Sequence, residues 1–315
     1  MKSFFSCDWG TSNFRLRLID GEDLSVQAEI KTPYGIAAAF DGWKQANKQQ
    51  QNRMAFYQDY LFEQVKKIPV PSNHSVSNAP IILSGMASSS IGMMELSYKE
   101  LPFRSDGSDL ILHTVKENEL NSHKLMIISG VRSDVDVMRG EETMLAGCHV
   151  PANEQQHLFI FPGTHSKHIM VRNGLAESFT TFMTGELFHM LSTQSILASS
   201  VEENNTEPGN HFLAGVQQGA SSNIMNSIFH VRTNALFGKA TAKENYHYLS
   251  GLLIGHELKS VALKIPDAIT LVCSEGMKTA YMQALSILGV KHVQFSQADE
   301  ALVKGQWKIA YNKDV

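Results

Sequence analysis

The chain has 315 residues, of which 43% are hydrophobic and 18% charged, and 27 Lys and Arg face 31 Asp and Glu for a formal net charge of −4. The length suits two compact domains of ~150 residues, and the composition is globular rather than disordered or coiled-coil. A slightly negative balance argues against a nucleic-acid or membrane-surface role. No apolar run approaches the ~20 residues of a bilayer span, and Asp8 follows Phe4-Phe5 too soon for a secretory leader. Cys7, Cys148 and Cys273 lie in apolar stretches without CxxC spacing. They are expected to be reduced and buried in a cytoplasmic protein, with no zinc or disulfide framework.

Three strands open the chain. Ser3 to Asp8 is an apolar run ending in an acid, and Phe14 to Asp20 alternates, with Phe14, Leu16 and Leu18 on one face and Arg15 and Arg17 on the other. That period of two predicts a half-buried strand. Gly21-Glu22-Asp23 turns the chain into a third strand, Val26 to Thr32. A helix is expected from Gln51 to Lys67, after a short Gln/Asn-rich run at 45–52, and buried strands at Ala79 to Ser84 and Lys124 to Ser129. A helix follows from Glu141 to Cys148.

The opening pattern then recurs. His157 to Pro162 is an apolar strand, Lys167 to Arg172 alternates, Asn173-Gly174 is a hairpin turn, and Ala176 to Phe182 returns. Gly10-Thr11 and Gly163-Thr164 are 153 positions apart, close to half the chain. Two such meanders read as a duplicated unit, with two coincidental hairpins as the alternative. Further helices are expected at Leu187 to Ala198, Ala220 to Phe229, Tyr246 to Leu263, Met277 to Leu288 and Glu300 to Tyr311, with a strand at Ile269 to Cys273 and a polar loop at Glu202 to Asn210. Buried strands alternating with helices imply an α/β sheet.

The chemistry concentrates in the loops. Asp8-Trp9-Gly10-Thr11-Ser12-Asn13 joins the first two strands. A Gly-containing hairpin lets backbone N–H groups converge, and Thr11, Ser12 and Asn13 add short donors, which together make an anion nest. A carboxylate at Asp8 suits such a nest only if it holds a divalent cation; otherwise it caps an ordinary turn. Pro162-Gly163-Thr164-His165-Ser166-Lys167 is the equivalent loop of the second half, and neither GxxxxGK[ST] nor GxGxxG occurs. His165 and His168 are poor metal ligands in a turn and strand. Lys167 either neutralises phosphate charge or sits in solvent.

Glu141 and Glu142 follow Gly140 and open a helix. The helix dipole favours acids there, and an ionised one can orient a substrate hydroxyl and accept its proton. Adjacent helical residues diverge by ~100°, so only one can face a given substrate, with Asp134 and Asp136 as rivals.

Two Gly-Thr hairpins, an acid on the helix between them and duplicated halves resemble the sugar kinase, actin and heat-shock chaperone ATPase superfamily. Within it, Asp8-Trp9-Gly10-Thr11-Ser12-Asn13, Ser84-Gly85-Met86, Met138-Arg139-Gly140-Glu141-Glu142-Thr143, Pro162-Gly163-Thr164-His165-Ser166-Lys167, Met183-Thr184-Gly185-Glu186-Leu187 and Leu249-Ser250-Gly251-Leu252-Leu253-Ile254-Gly255 resemble the 2-dehydro-3-deoxygalactonokinase family across essentially the whole chain. The resemblance implies a two-lobed α/β actin-like ATPase (ribonuclease H-like) fold. Residues 1–153 would form one lobe and 154–315 the other, with the last helix returning toward the hinge and closure excluding water.

The implied activity is transfer of the γ-phosphoryl of ATP to the C6 hydroxyl of 2-dehydro-3-deoxy-D-galactonate, in galactonate catabolism. Glu141 would be the base, with Glu142 second. Asp8 would hold Mg²⁺, and Gly10 to Asn13 with Gly163, Thr164, His165, Ser166 and Lys167 would hold phosphates. Thr184, Gly185 and Glu186 would shape the nucleotide side, and Ser274, Glu275 and Gly276 the adenosine site, where Glu275 either meets the ribose or caps its helix. Gly35, Met86, Ala87, Ser88, Ser89 and Arg139 would form the sugar-acid pocket, although a serine run is also a helix cap. The partners implied are the sugar acid and ATP, with no nucleic acid or membrane and a homodimer left open. Another sugar or aldonate kinase, or an ATP-driven switch protein, fits the same scaffold.

Overall fold

The computed structural model describes residues 3–46, 52–71, 76, 78–117, 123–150 and 153–311. Most of the Gln/Asn-rich run, at 47–51, lies outside them. The chain divides into two compact units, one of Met1–Ala152, Gly174–Ser178 and Asp299–Val315, the other of Asn153–Asn173 and Phe179–Ala298.

The first unit begins with the expected meander, β1 (Ser3–Trp9), β2 (Phe14–Asp20) and β3 (Val26–Thr32). Helices α1 (Ile36–Ala46) and α2 (Arg53–Lys67) follow, then β4 (Ile81–Gly85), short strands β5 (Lys99–Glu100) and β6 (Phe103–Arg104), β7 (Leu112–Val115), β8 (Leu125–Ile128), β9 (Val131–Arg132) and β10 (Val137–Met138), and helix α3 (Glu141–Gly147). The sheet order is β3-β2-β1-β4-β8-β7, with β1·β4 and β4·β8 parallel. Phe5, Cys7 and Trp9, every second residue of β1, face a core completed by Tyr57 and Leu61 of α2, while Phe4 on the other face packs on Trp307.

The second unit repeats the order. Its meander is β11 (His157–Phe161), β12 (Ser166–Arg172) and β13 (Leu175–Phe182), whose first residues, Leu175 and Ala176, pair with β6 inside the first unit. Then come α4 (Thr184–Gln194), α5 (Asn210–Ser221), α6 (Ile224–Ser227), α7 (His230–Leu236), α8 (Ala242–Leu263), β14 (Ala268–Cys273), α9 (Glu275–Ile287) and β15 (Gln294–Gln297). The strands run β13-β12-β11-β14-β15, with β11·β14 and β14·β15 parallel. This matches β3-β2-β1-β4-β8 strand for strand. Each unit is thus a ribonuclease H-like sheet, and the duplication read from the sequence is present in the topology.

The chain ends in α10 (Ala298–Tyr311), which belongs to the first unit from Asp299 onward. It changes one expectation. A half-buried strand leaves the Arg15 and Arg17 face to solvent, but Arg17 is 1% exposed. Its guanidinium meets Glu29 of β3 at 2.7 Å and Asp299 of α10 at 2.8 Å, and Arg15 also pairs with Asp299. An alternating strand therefore has both faces covered, one by apolar residues and one by ion pairs.

The expected helix from Ala220 to Phe229 is likewise two elements. Helix α5 ends at Ser221, and Asn223 caps α6 by accepting from the Met225 N–H at 3.0 Å. Helices α5 and α8 cross at backbone contact. A Cβ at Gly215, Gly219, Gly251 or Gly255 would fall 2.0–2.3 Å from a carbonyl oxygen of the other helix. That crossing explains the glycines of Leu249-Ser250-Gly251-Leu252-Leu253-Ile254-Gly255.

Candidate active site

The first hairpin is anchored by Trp9, fully buried against Phe14, Tyr57 and Tyr60. The Gly10 N–H donates to the Asn13 carbonyl at 2.9 Å. The start of α1 then takes up the loop's carbonyls: Ile36, Ala37 and Gly35 N–H groups donate to Gly10, Thr11 and Ser12 oxygens at 2.9, 3.1 and 3.2 Å. Repulsive oxygens are thereby committed away from an incoming anion, while Thr11, Ser12 and Asn13 remain exposed. Gly35 makes this possible, since a Cβ there would lie 2.2 Å from the Thr11 oxygen. Sequence reading put Gly35 in the sugar pocket; in the structure it packs beneath the hairpin.

Asp8, one residue before Trp9, pairs in register with Arg15 of β2 and Ser84 of β4. Burial raises its pKa, Arg15 and Arg17 pull it down, and Asp299 raises it.

The two acids of α3 have different environments. Glu142 is 1% exposed, and both its oxygens accept from the Gly140 N–H, at 2.9 and 2.8 Å, while the Thr143 hydroxyl donates at 2.9 Å. Its carboxylate folds back onto its own helix start and is committed there. Glu141 is half-buried and is the acid of the pair with exposed surface. Among the rivals, Asp136 accepts from the Val137 N–H in the β9–β10 turn and Asp134 is exposed.

Burial, and next the Glu141 charge, push Glu142 up to about 7. A raised folded pKa means that the folded state binds the proton more tightly. Stability from this group is therefore present in acid and lost as pH rises from 4.5 toward about 7. The full effect is on the order of a few kcal/mol. Glu142→Gln is expected to remove that slope, as measured by denaturant midpoints at about pH 5 and about pH 8. An unchanged slope would assign the pH dependence to other groups.

A third cluster surrounds Arg139. Its Nη1 donates to the Ser88 hydroxyl at 2.7 Å, its Nε donates to the Tyr98 hydroxyl at 3.2 Å, and the guanidinium lies 4.0 Å from the Tyr98 ring centre. Among the described residues no carboxylate pairs with it. An arginine stacked, half-buried and lacking a counter-charge is preorganised for an external carboxylate. Ser88 and Ala87 are buried, so Ser88 acts on Arg139; Met86 is half-buried and Ser89 buried. Tyr98 was missed in the sequence. So was Gly130, where a Cβ would fall 2.5 Å from Arg139 Cγ and 3.2 Å from the Tyr98 ring.

The second hairpin repeats the first. A Cβ at Gly185 would lie 2.5 Å from the Gly163 oxygen, and the Glu186 N–H donates to the Thr164 carbonyl at 3.0 Å. Gly185 is thus to Gly163-Thr164 what Gly35 is to Thr11-Ser12. Thr184 is buried, and the Glu186 carboxylate meets His165 Nε2. Lys167 is buried, with its Nζ donating to the His165 carbonyl at 3.0 Å, so it is not a solvent lysine. His168 faces Glu257. The described residues contain no group of three or more His, Cys, Asp or Glu arranged for a metal.

Open space lies above this hairpin: a Cβ at Gly163 would meet nothing within 4 Å. Gly163→Val is therefore expected to fold with a near-unchanged thermal midpoint yet raise KM for a phosphate-bearing ligand by about ten-fold or more. An unchanged KM would remove this hairpin from the site. Ser274, Glu275 and Gly276 are exposed at the start of α9, where Glu275 pairs with Lys278 at 3.1 Å and Ser274 makes no side-chain cap.

The fold and these loops define a member of the actin-like ATPase class, built from two ribonuclease H-like units each with a Gly-Thr hairpin. The comparisons narrow the class. The profile of the 2-keto-3-deoxy-galactonokinase family matches residues 8–309, and the chain belongs to that family. It is 33% identical over 306 residues to the 2-dehydro-3-deoxygalactonokinase of Escherichia coli, covering 91% of this chain and 90% of that one. It is 31% identical over 315 residues to a Rhizobium meliloti protein assigned the same activity, covering 96% and 94%. A crystal structure assigned to a 2-dehydro-3-deoxygalactonokinase from Sinorhizobium meliloti superposes with a TM-score of 0.80 at 31% identity, covering 98% and 96%. No helix of the described residues is long and apolar enough to cross a membrane.

Proposed function

We propose that this protein transfers the γ-phosphoryl group of ATP to the C6 hydroxyl of 2-dehydro-3-deoxy-D-galactonate, in the cytoplasm, as a step of galactonate catabolism. The observation that carries the substrate class is Arg139, held by Ser88 and Tyr98 with no carboxylate partner among the described residues. It suits the carboxylate of a sugar acid, with which it can make a charge-assisted pair that a neutral sugar cannot.

Each unit carries one Gly-Thr hairpin suited to phosphate, Gly10 to Asn13 in the first and Gly163 to Lys167 in the second. The space above Gly163, and similarly Gly276, where a Cβ meets nothing within 4 Å, fits a ligand that approaches the backbone closely. Ser274, Glu275 and Gly276 would border the adenosine. Asp8 would hold Mg²⁺, whose chemistry is to draw charge from the phosphate oxygens. One protein carboxylate is an ordinary complement for Mg²⁺, which takes its other ligands from phosphate and water.

Glu141 orients the attacking hydroxyl and finally takes its proton. Phosphoryl transfer is mainly positioning and charge stabilisation, so proton removal is late and the alignment matters most. The test is ADP release with Mg-ATP and a panel of 2-dehydro-3-deoxygalactonate, its gluconate epimer, galactonate, gluconate, glycerol and no acceptor. Turnover should strongly favour the first. Equal ADP release without acceptor would instead identify an ATP-driven switch protein.

A further inference from the structure

Behind the second hairpin runs a chain of hydrogen bonds between buried side chains. The Gly163 N–H donates to the Ser166 hydroxyl at 3.4 Å. Ser166 Oγ lies 3.3 Å from the Tyr281 hydroxyl, which donates to Glu257 at 2.9 Å, and the other Glu257 oxygen lies 3.0 Å from His168 Nε2. Glu257, in α8, is 2% exposed; Tyr281, in α9, is 1% exposed; Ser166 is fully buried. The carboxylate fixes the direction of every bond. Glu257 only accepts when ionised, so Tyr281 spends its one proton there and can only accept from Ser166. Ser166 then offers its remaining lone pairs to the Gly163 N–H, and His168 donates through Nε2.

A buried carboxylate is costly unless its bonds are complete, and apolar residues would fill this core at lower cost. What the polar chain adds is a fixed link from α8 and α9 to the backbone of one loop. Bonds aligned in one direction also strengthen one another. We infer that Glu257 and Tyr281 are positioning residues that hold the Gly163–Ser166 hairpin in its anion-accepting shape. The inference rests on the proposed role of that hairpin in binding ATP.

The test is steady-state kinetics of the intact protein, with KM measured separately for ATP and for the sugar acid, beside thermal midpoints. Tyr281→Phe keeps the ring in the core and deletes only the hydroxyl. It is expected to raise KM for ATP by about 5- to 20-fold, with kcat and the sugar-acid KM within about two-fold of the parent. Glu257→Gln keeps an oxygen to accept from Tyr281 and should shift KM for ATP in the same direction by less; it serves if Tyr281→Phe does not fold. A lower thermal midpoint with unchanged KM for ATP, or a parallel rise in both KM values, would reduce the chain to core packing and overturn the inference. Gly163→Val separates the two levels. If it leaves KM for ATP unchanged, the hairpin does not bind ATP and both readings fall; if it raises that KM and Tyr281→Phe does not, only the positioning role falls.

Discussion

Glu141→Gln is expected to lower kcat by about 10²- to 10⁴-fold while ATP binding stays within about two-fold of the parent. The substitution keeps the shape and one acceptor oxygen but removes the group that takes the proton. Position separates it from its neighbour. Glu142 is buried and bonded to Gly140 and Thr143, so it cannot also reach a substrate hydroxyl, whereas Glu141 retains exposed surface. Glu142→Gln should therefore alter stability and its pH dependence more than kcat. Rapid-quench or coupled assays on both variants decide the order. A larger kcat loss in Glu142→Gln than in Glu141→Gln would reverse the assignment.

Arg139→Leu is expected to raise the sugar-acid KM by about 10²-fold, equivalent to ~3 kcal/mol, with KM for ATP nearly unchanged. A desolvated guanidinium–carboxylate contact belongs to the strong class of hydrogen bonds, and the stacking on Tyr98 at 4.0 Å fixes the donor fork before substrate arrives. Arg139→Lys keeps the charge but loses the planar fork and the stacking, so it should recover only part of the affinity. The variant should also lose its preference for acids over neutral polyols. If Arg139→Leu leaves the sugar-acid KM unchanged, the substrate carboxylate binds elsewhere.

The meanders were legible almost to the residue because alternation has a period of two and the turns Gly21-Glu22-Asp23 and Asn173-Gly174 punctuate it. Phe14–Asp20 and Val26–Thr32 have the boundaries read from the sequence. The hairpin glycines were legible for the same reason. What hid the rest is contact over long separations. Arg17 alternates like a solvent residue and is covered by Asp299, a residue far along the chain. Gly35 and Gly185 read as pocket and nucleotide-side residues in the sequence, but not as supports of the hairpins, because that contact lies across the turn into the next helix. Tyr98, Gly130, Tyr281 and Glu257 belong to ordinary-looking stretches, and their importance is a matter of what they touch. The short helix α1 was absent from the sequence reading, and α5 was lost between a polar loop and a misplaced helix, since GVQQG reads as a weak helix until Gly251 and Gly255 of α8 pack against it.

Proton-coupled ³¹P NMR of the product formed from Mg-ATP and 2-dehydro-3-deoxygalactonate tests the proposed reaction most directly. A phosphomonoester signal split into a triplet by the two protons of a terminal CH₂, appearing in step with ADP, is the expected result. A doublet from a methine carbon would move the phosphate to another hydroxyl. Free inorganic phosphate with unchanged sugar acid would contradict phosphoryl transfer to this substrate altogether.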